Sequence, residues 1–76
     1  MSHHKKMKQN SKKLIAKNVK KYREKLRLKK EELSLKAGFD NSYISKLEAN
    51  KMNITIEKLD IIADILNIKT IKLLED

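Results

Sequence analysis

Apolar residues recur at helical spacing along most of this chain, with short polar segments between the apolar stretches. In residues 11–26 they fall at i, i+4, i+7 and i+11, which is one face of a helix. These residues are Ile15, Val19, Tyr22 and Leu26. Ser11 is a predicted N-cap for this first helix. Residues 1–11 are basic and lack apolar periodicity, and we expect them to form a flexible tail before a domain at residues 12–76.

Two short helical segments follow, and the only glycine of the chain stands between them. Residues 29–37 carry acidic residues in the first turn and a lysine in the last, which matches the charge preference of a helix dipole. Gly38 is expected to end this helix in the left-handed conformation. Asp40 is expected to cap a third helix over residues 41–48, and Asn50 can take the left-handed conformation after it. The pattern predicts two helices joined by a tight turn.

A fourth helix over residues 55–68 carries two apolar stripes, with Thr55 as its N-cap. One stripe comprises Ile56, Leu59, Ile62, Ala63 and Leu66, and the other comprises Ile61, Ile65 and Ile68. The segment 70–76 adds a short fifth helix. A surface helix of a monomer needs only one apolar stripe, so the second stripe predicts a protein interface. The residues expected in this interface are Ile61, Ile65, Ile68 and Ile71. The pattern as a whole predicts an all-α fold of five helices.

Charge is distributed unevenly over the 76 residues, whose formal net charge is +9. Residues 1–36 carry 14 basic and 3 acidic side chains, a net charge of +11, whereas residues 37–76 carry 5 and 7, a net charge of −2. A strongly basic chain attracts polyanions, of which nucleic acid is the commonest. The sequence has no cysteine, and His3 and His4 lack further ligands at the fixed spacing that a metal site needs. We therefore expect no metal and no cofactor.

Three segments carry a family resemblance: EELSLKAG at residues 31–38, SYISKLE at 42–48 and LDIIADIL at 59–66. Over residues 14–74 the chain resembles the helix-turn-helix domain of the Cro and phage-repressor group, the xenobiotic-response-element family. Within this family, the segments NSYISKLE and NITIEKLDII look most like the small homodimeric controller proteins of restriction–modification systems. The resemblance implies a compact lambda-repressor-like bundle that binds double-stranded DNA and regulates transcription.

The resemblance also implies roles for individual side chains, because the second helix of such a motif enters the major groove. It implies base contacts from Asn41, Ser42, Tyr43, Ser45 and Lys46. It implies phosphate contacts from Lys30, Lys51 and Asn53. It further implies a structural ion pair between Arg23 and Glu48. Leu35 stands where relatives more often have a polar residue, and the pattern leaves open whether it is buried or exposed.

Other functions are compatible with parts of the sequence. A phage-type repressor or an antitoxin would use the second apolar stripe to bind a different protein, whereas a homodimeric regulator would be a dimer on its own. An enzyme is not supported, since both histidines lie in the tail and no glycine-rich loop is present. A single-stranded RNA binder needs stacking aromatics, which make up only 4% of the chain. The sequence thus predicts a homodimeric regulator of a palindromic DNA operator. We expect it in the cytoplasm, because no apolar run is long enough to span a membrane.

Overall fold

A computed structural model describes residues 3–76 of the protein, with side chains from Ser11 onward, as four α-helices and one 3₁₀ helix. The elements are α1 His3–Lys25, α2 Lys30–Lys36, α3 Tyr43–Glu48, α4 Ile56–Ile65 and the 3₁₀ helix Thr70–Leu73. No residue in this range forms a strand, which confirms the all-α prediction. Both α1 and α2 pack on α3, and the 3₁₀ helix packs on α1 and α4.

Each of these five elements contributes at least one fully buried apolar side chain to a shared core. The side chains are Val19 from α1, Leu33 from α2, Ile44 from α3, Leu59 and Ile62 from α4, and Leu73 from the 3₁₀ helix. Full burial of such a side chain is worth about 1.5–3 kcal/mol. Isolated helices shorter than roughly 12–15 residues are marginal in water, so α2 and α3, with 7 and 6 residues, depend on this core for their helicity.

The C-terminal segment does not form the predicted fifth α-helix, because only Thr70–Leu73 is helical there and it is a 3₁₀ helix. Two carbonyl groups of this segment are bonded to α1 instead of continuing a helix of their own. The Asn18 side-chain amide donates to the Leu73 carbonyl at 3.0 Å and to the Glu75 carbonyl at 2.8 Å. This buried asparagine therefore fixes the C-terminal segment against the first helix.

Two of the three predicted helix caps are wrong. Because α1 begins at His3 and runs through a stretch of good helix formers, Ser11 lies within it rather than at its start. The α3 helix begins at Tyr43 with Ser42 at the N-cap position, two residues after Asp40. The Thr55 cap is confirmed, since its Oγ1 accepts a hydrogen bond of 3.3 Å from the amide of Lys58. The division of the chain at residue 11 into a tail and a domain stays a prediction.

All four α-helices end in the same backbone motif, in which the residue after the C-cap adopts the left-handed conformation. These residues are Arg27, Gly38, Asn50 and Asn67, with φ of 56°, 75°, 60° and 59°. Each motif closes with two hydrogen bonds back to the last turn, as in Phe39 N–H to Ser34 C=O at 2.9 Å and Gly38 N–H to Leu35 C=O at 3.0 Å. The conformations expected at Gly38 and Asn50 are both confirmed.

Three apolar side chains lie at the surface. The sequence pattern puts Leu26 and Ile56 in apolar stripes and leaves open whether Leu35 is buried. Leu26 is 48% exposed because α1 ends one residue before it. Ile56, the first residue of α4, is 63% exposed, and Leu35 is 60% exposed. Leu35 lies two residues after the buried Leu33 and therefore on the other side of α2.

Candidate nucleic-acid interface

The α2–turn–α3 unit is joined internally by one buried hydroxyl group. Ser34 is fully buried on α2, and its Oγ donates to the Lys30 carbonyl at 2.9 Å and accepts from the Ile44 amide at 3.0 Å. The Ile44 amide lies in the first turn of α3, where backbone N–H groups have no partner within the helix. A side chain of α2 therefore performs the capping role that the sequence led us to expect from Asp40.

Two aromatic rings hold the turn between the helices. The ring centroids of Phe39 and Tyr43 are 4.4 Å apart at an interplanar angle of 46°, within the range of favourable aromatic pairs. Tyr43 is 8% exposed and belongs to the core, and its hydroxyl has no hydrogen-bond partner among the described residues. Burial raises the pKa of this hydroxyl. Tyr43 lies four residues before Leu47, so both side chains face the core. The base contact of Tyr43 stays a prediction, and the burial of its hydroxyl argues against it.

The C-terminal end of α3 is tied to α1 by a buried ion pair. Arg23 Nε donates to Glu48 Oε2 at 2.8 Å, and Arg23 Nη2 donates to Glu48 Oε1 at 3.0 Å. The remaining nitrogen, Nη1, donates to the Leu28 carbonyl at 2.7 Å. The two side chains are 8% and 5% exposed, and the hydrogen bonds to Glu48 raise the pKa of Arg23. The structural pair predicted between these residues is thus present, with bidentate geometry.

The remaining residues predicted to contact bases lie around the start and the outer face of α3. Asn41, Ser45 and Lys46 are exposed, and Ser42 is half-exposed. Ser42 Oγ donates to Asp40 Oδ2 at 2.7 Å, and this hydrogen bond is the main cause that lowers the pKa of Asp40. Asn41 and Ser42 precede the helix rather than lying within it. An amide, a hydroxyl and an ammonium group are thus exposed within six consecutive residues at the start of α3 and along it.

The residues predicted to contact phosphates are exposed, and they flank α3 at both ends. Lys30 opens α2, and its carbonyl shares the Ser34 hydroxyl with the Ile44 amide of α3. Lys51 follows α3 directly, with its amide bonded to the Lys46 carbonyl at 3.0 Å. Asn53 is exposed two residues further on. The backbone of Lys30 therefore lies near the start of α3 and that of Lys51 lies at its end, and both side chains are exposed.

The second apolar stripe is only partly accessible. Ile61 and Ile71 are 41% and 55% exposed, and Leu74, which follows Ile71 closely in sequence, is 36% exposed. Ile65 and Ile68 are half-buried and pack against the core. The stripe thus presents two well-exposed isoleucines, one on α4 and one on the 3₁₀ helix.

Sequence reasoning missed the two buried polar residues that position these elements, Ser34 and Asn18. Each lies directly beside a core position, Ser34 after Leu33 and Asn18 before Val19. A small polar residue at the edge of an apolar stripe was the available signal. The partner of Ser34 lies 10 residues away in sequence, and the partners of Asn18 lie 55 and 57 residues away. Periodicity alone therefore could not identify them.

Comparison with known proteins agrees with this geometry. A helix-turn-helix family model of the Cro/C1 type matches residues 19–73. The chain belongs to this family. Among solved structures, the chain is similar to a hypothetical transcription factor from Neisseria, with a TM-score of 0.85 and 27% sequence identity over 88% of this chain and 77% of that one. No curated protein sequence gives a significant match. These findings support a DNA-binding regulator.

No helix within residues 3–76 has the length and apolar character that crossing a membrane requires. Among residues 11–76, whose side chains the structure describes, no group of three or more acidic side chains is arranged to hold a metal ion. His3 and His4 lie outside these described side chains.

Proposed function

We propose that this helix-turn-helix protein is a homodimeric, sequence-specific regulator of transcription that acts in the cytoplasm on a palindromic operator. In this proposal, Asn41, Ser42, Ser45 and Lys46 contact base edges in the major groove. Lys30, Lys51 and Asn53 contact the phosphate backbone. The observation that carries the proposal is the exposure of the polar side chains Asn41, Ser45 and Lys46 on an α2–α3 unit that the buried Ser34 hydroxyl joins.

The second part of the proposal is that Ile61, Ile65, Ile68 and Ile71 form a two-fold interface between copies of the chain. The exposure of Ile61 and Ile71 supports it, because an interface between copies of the chain would remove their apolar surface from water. A two-fold dimer would present its two α3 helices to successive major grooves about 34 Å apart. We therefore expect the two half-sites of the operator to have this spacing.

We further propose a restriction–modification controller as the type of regulator, on the strength of the segments NSYISKLE and NITIEKLDII. The alternative is a phage-type repressor or an antitoxin, in which the same isoleucines bind a different protein. The two proposals differ in the state of the purified chain, which is a stable dimer in the first case and a monomer in the second.

Selection of binding sites from a random DNA library, combined with sedimentation equilibrium, tests both parts. We expect a two-fold symmetric consensus and a dimer. In Ile71→Glu, a charge within the apolar interface should weaken dimerisation and operator binding together. Leu35→Glu is the matched control, since Leu35 is 60% exposed on α2 and outside the proposed interface. A monomeric wild-type chain that binds an asymmetric site would contradict the homodimer.

A further inference from the structure

Lys58, on the first turn of α4, lies beside the start of α3. Its Nζ is 5.2 Å from the ring centroid of Tyr43, the first residue of α3, and 5.7 Å from the ring centroid of Phe39 in the turn. Both distances are within the roughly 6 Å range of cation–π attraction. Two ring faces from the helix-turn-helix unit thus hold one ammonium group that comes from a different helix.

The charge of Lys58 is available for a further partner. The side chain is exposed, and no acidic side chain of the described residues forms an ion pair with it. Asp40, the acid in the same turn as Phe39, accepts its hydrogen bond from Ser42 instead. Cation–π attraction restricts the ammonium group but leaves its N–H donors free.

Lys58 differs in its surroundings from the other lysines of residues 37–76, the acidic half of the chain. Residues 37–76 contain only five lysines and no arginine. Lys46 and Lys51 already belong to the proposed interface, and Lys72 is paired with Glu75 at 3.0 Å. Lys69 precedes the 3₁₀ helix, which packs on α1 and α4. Lys58 is therefore the remaining lysine of this half that the fold places against the helix-turn-helix unit.

We propose that Lys58 is a further DNA phosphate contact, oriented beside the start of α3 by the rings of Phe39 and Tyr43. The proposal rests on the proposed function, and it adds a cation from α4 to those of α2 and of the segment after α3. A lysine normally loses much rotamer freedom when it is fixed against a ligand. The two rings restrict Lys58 before DNA binds, which reduces that loss.

The test measures how strongly binding depends on salt. Fluorescence anisotropy follows the binding of wild type, Lys58→Ala, Lys58→Arg and Lys69→Ala to the selected operator and to a random duplex between 50 and 200 mM salt, the range over which such contacts lose affinity. For Lys58→Ala, we expect the slope of log K against log salt to be shallower by about 0.9 on both duplexes, with a five- to tenfold loss of affinity at about 0.1 M salt. Lys58→Arg keeps a cation over the rings and should retain the slope.

Lys69→Ala removes the same charge from the same half of the chain and should leave the slope nearly unchanged. Lys58→Ala and Lys69→Ala slopes that agree would overturn the Lys58 contact while leaving the proposed function intact. A lower melting temperature of Lys58→Ala with an unchanged slope would likewise overturn it, because the lysine would then only cover the two rings. Failure of the wild-type chain to bind either duplex would refute the proposed function itself.

Discussion

The two ends of α3 are fixed by different chemistry. At the C-terminal end, Glu48 forms a bidentate ion pair with Arg23, and every donor nitrogen of that guanidinium group is directed to a protein acceptor. At the N-terminal end, the helix is held by the neutral hydroxyl of Ser34 and by the ring pair of Phe39 and Tyr43. The hydroxyl of Tyr43 there has no partner among the described residues.

The two ends of this six-residue helix therefore have different roles. The C-terminal end fixes the helix in the fold, and the N-terminal end lies nearer to most of the proposed base contacts. A buried ion pair is strongly destabilising when one partner is lost, although it adds little net stability compared with an apolar replacement. Neutral hydrogen bonds and ring contacts contribute about 1 kcal/mol each. The residues proposed to contact bases lie mostly toward the N-terminal end, where substitutions are expected to be less costly to the fold.

The largest effect is expected from Glu48→Gln, which removes one charge of the buried pair. It leaves the Arg23 cation buried without a counter-charge, and we expect a loss of about 3–5 kcal/mol in the free energy of unfolding, measured in urea. Glu57→Gln, at an exposed position in the first turn of α4, is the matched control and should cost less than about 1 kcal/mol.

The double variant Arg23→Met with Glu48→Leu completes this test, because it replaces both charges by apolar groups of similar size. It should recover most of the stability that Glu48→Gln loses. Equal losses in Glu48→Gln and Glu57→Gln would mean that the C-terminal end of α3 is not held by the ion pair, and the contrast between the two ends would disappear.

A smaller effect is expected from Ser34→Ala, which acts at the N-terminal end. The substitution leaves the buried Ile44 amide without its acceptor, and an unsatisfied buried group costs about 1–3 kcal/mol. Ser45→Ala on the exposed face of α3 removes the same hydroxyl from a solvated position and should change stability by less than about 0.5 kcal/mol. Thermal unfolding of both variants compares them directly, and similar melting temperatures would contradict a capping role for Ser34.

Local rules of sequence account for much of this fold. The helical stripes, the left-handed positions of Gly38 and Asn50 and the Thr55 cap depend on residues within a few positions of one another, so the sequence alone predicted them. The cap of α3 was predicted at Asp40 by the same rules, yet the structure supplies it from Ser34 on α2. A hydroxyl that comes from another helix depends on how the two helices pack, and no local pattern encodes that.

The candidate site was predictable to a similar degree. Family resemblance named Asn41, Ser45 and Lys46 as base contacts, and the structure leaves all three exposed, with Asn41 just before α3 and the other two on it. It also named Tyr43, whose ring the structure buries. A tyrosine satisfies either pattern, as an apolar ring in a core or as a polar group at an interface. Its spacing of four from Leu47 favours the core, and Phe39 and Lys58 pack against its ring in the structure.

The smallest effect is expected from Tyr43→Phe, and its sign is opposite to that of the other two. The variant keeps the ring against Phe39 and Lys58 but removes a buried hydroxyl that has no partner among the described residues. Loss of such a group should raise the free energy of unfolding by about 1 kcal/mol, measured in urea beside Tyr22→Phe as a control at a half-buried position. Operator affinity should stay within about twofold of wild type, a change of about 0.4 kcal/mol, because the buried hydroxyl is not among the proposed DNA contacts. A loss of affinity without a loss of stability would return the Tyr43 hydroxyl to the DNA interface, and it would mean that the N-terminal end of α3 rearranges when DNA binds.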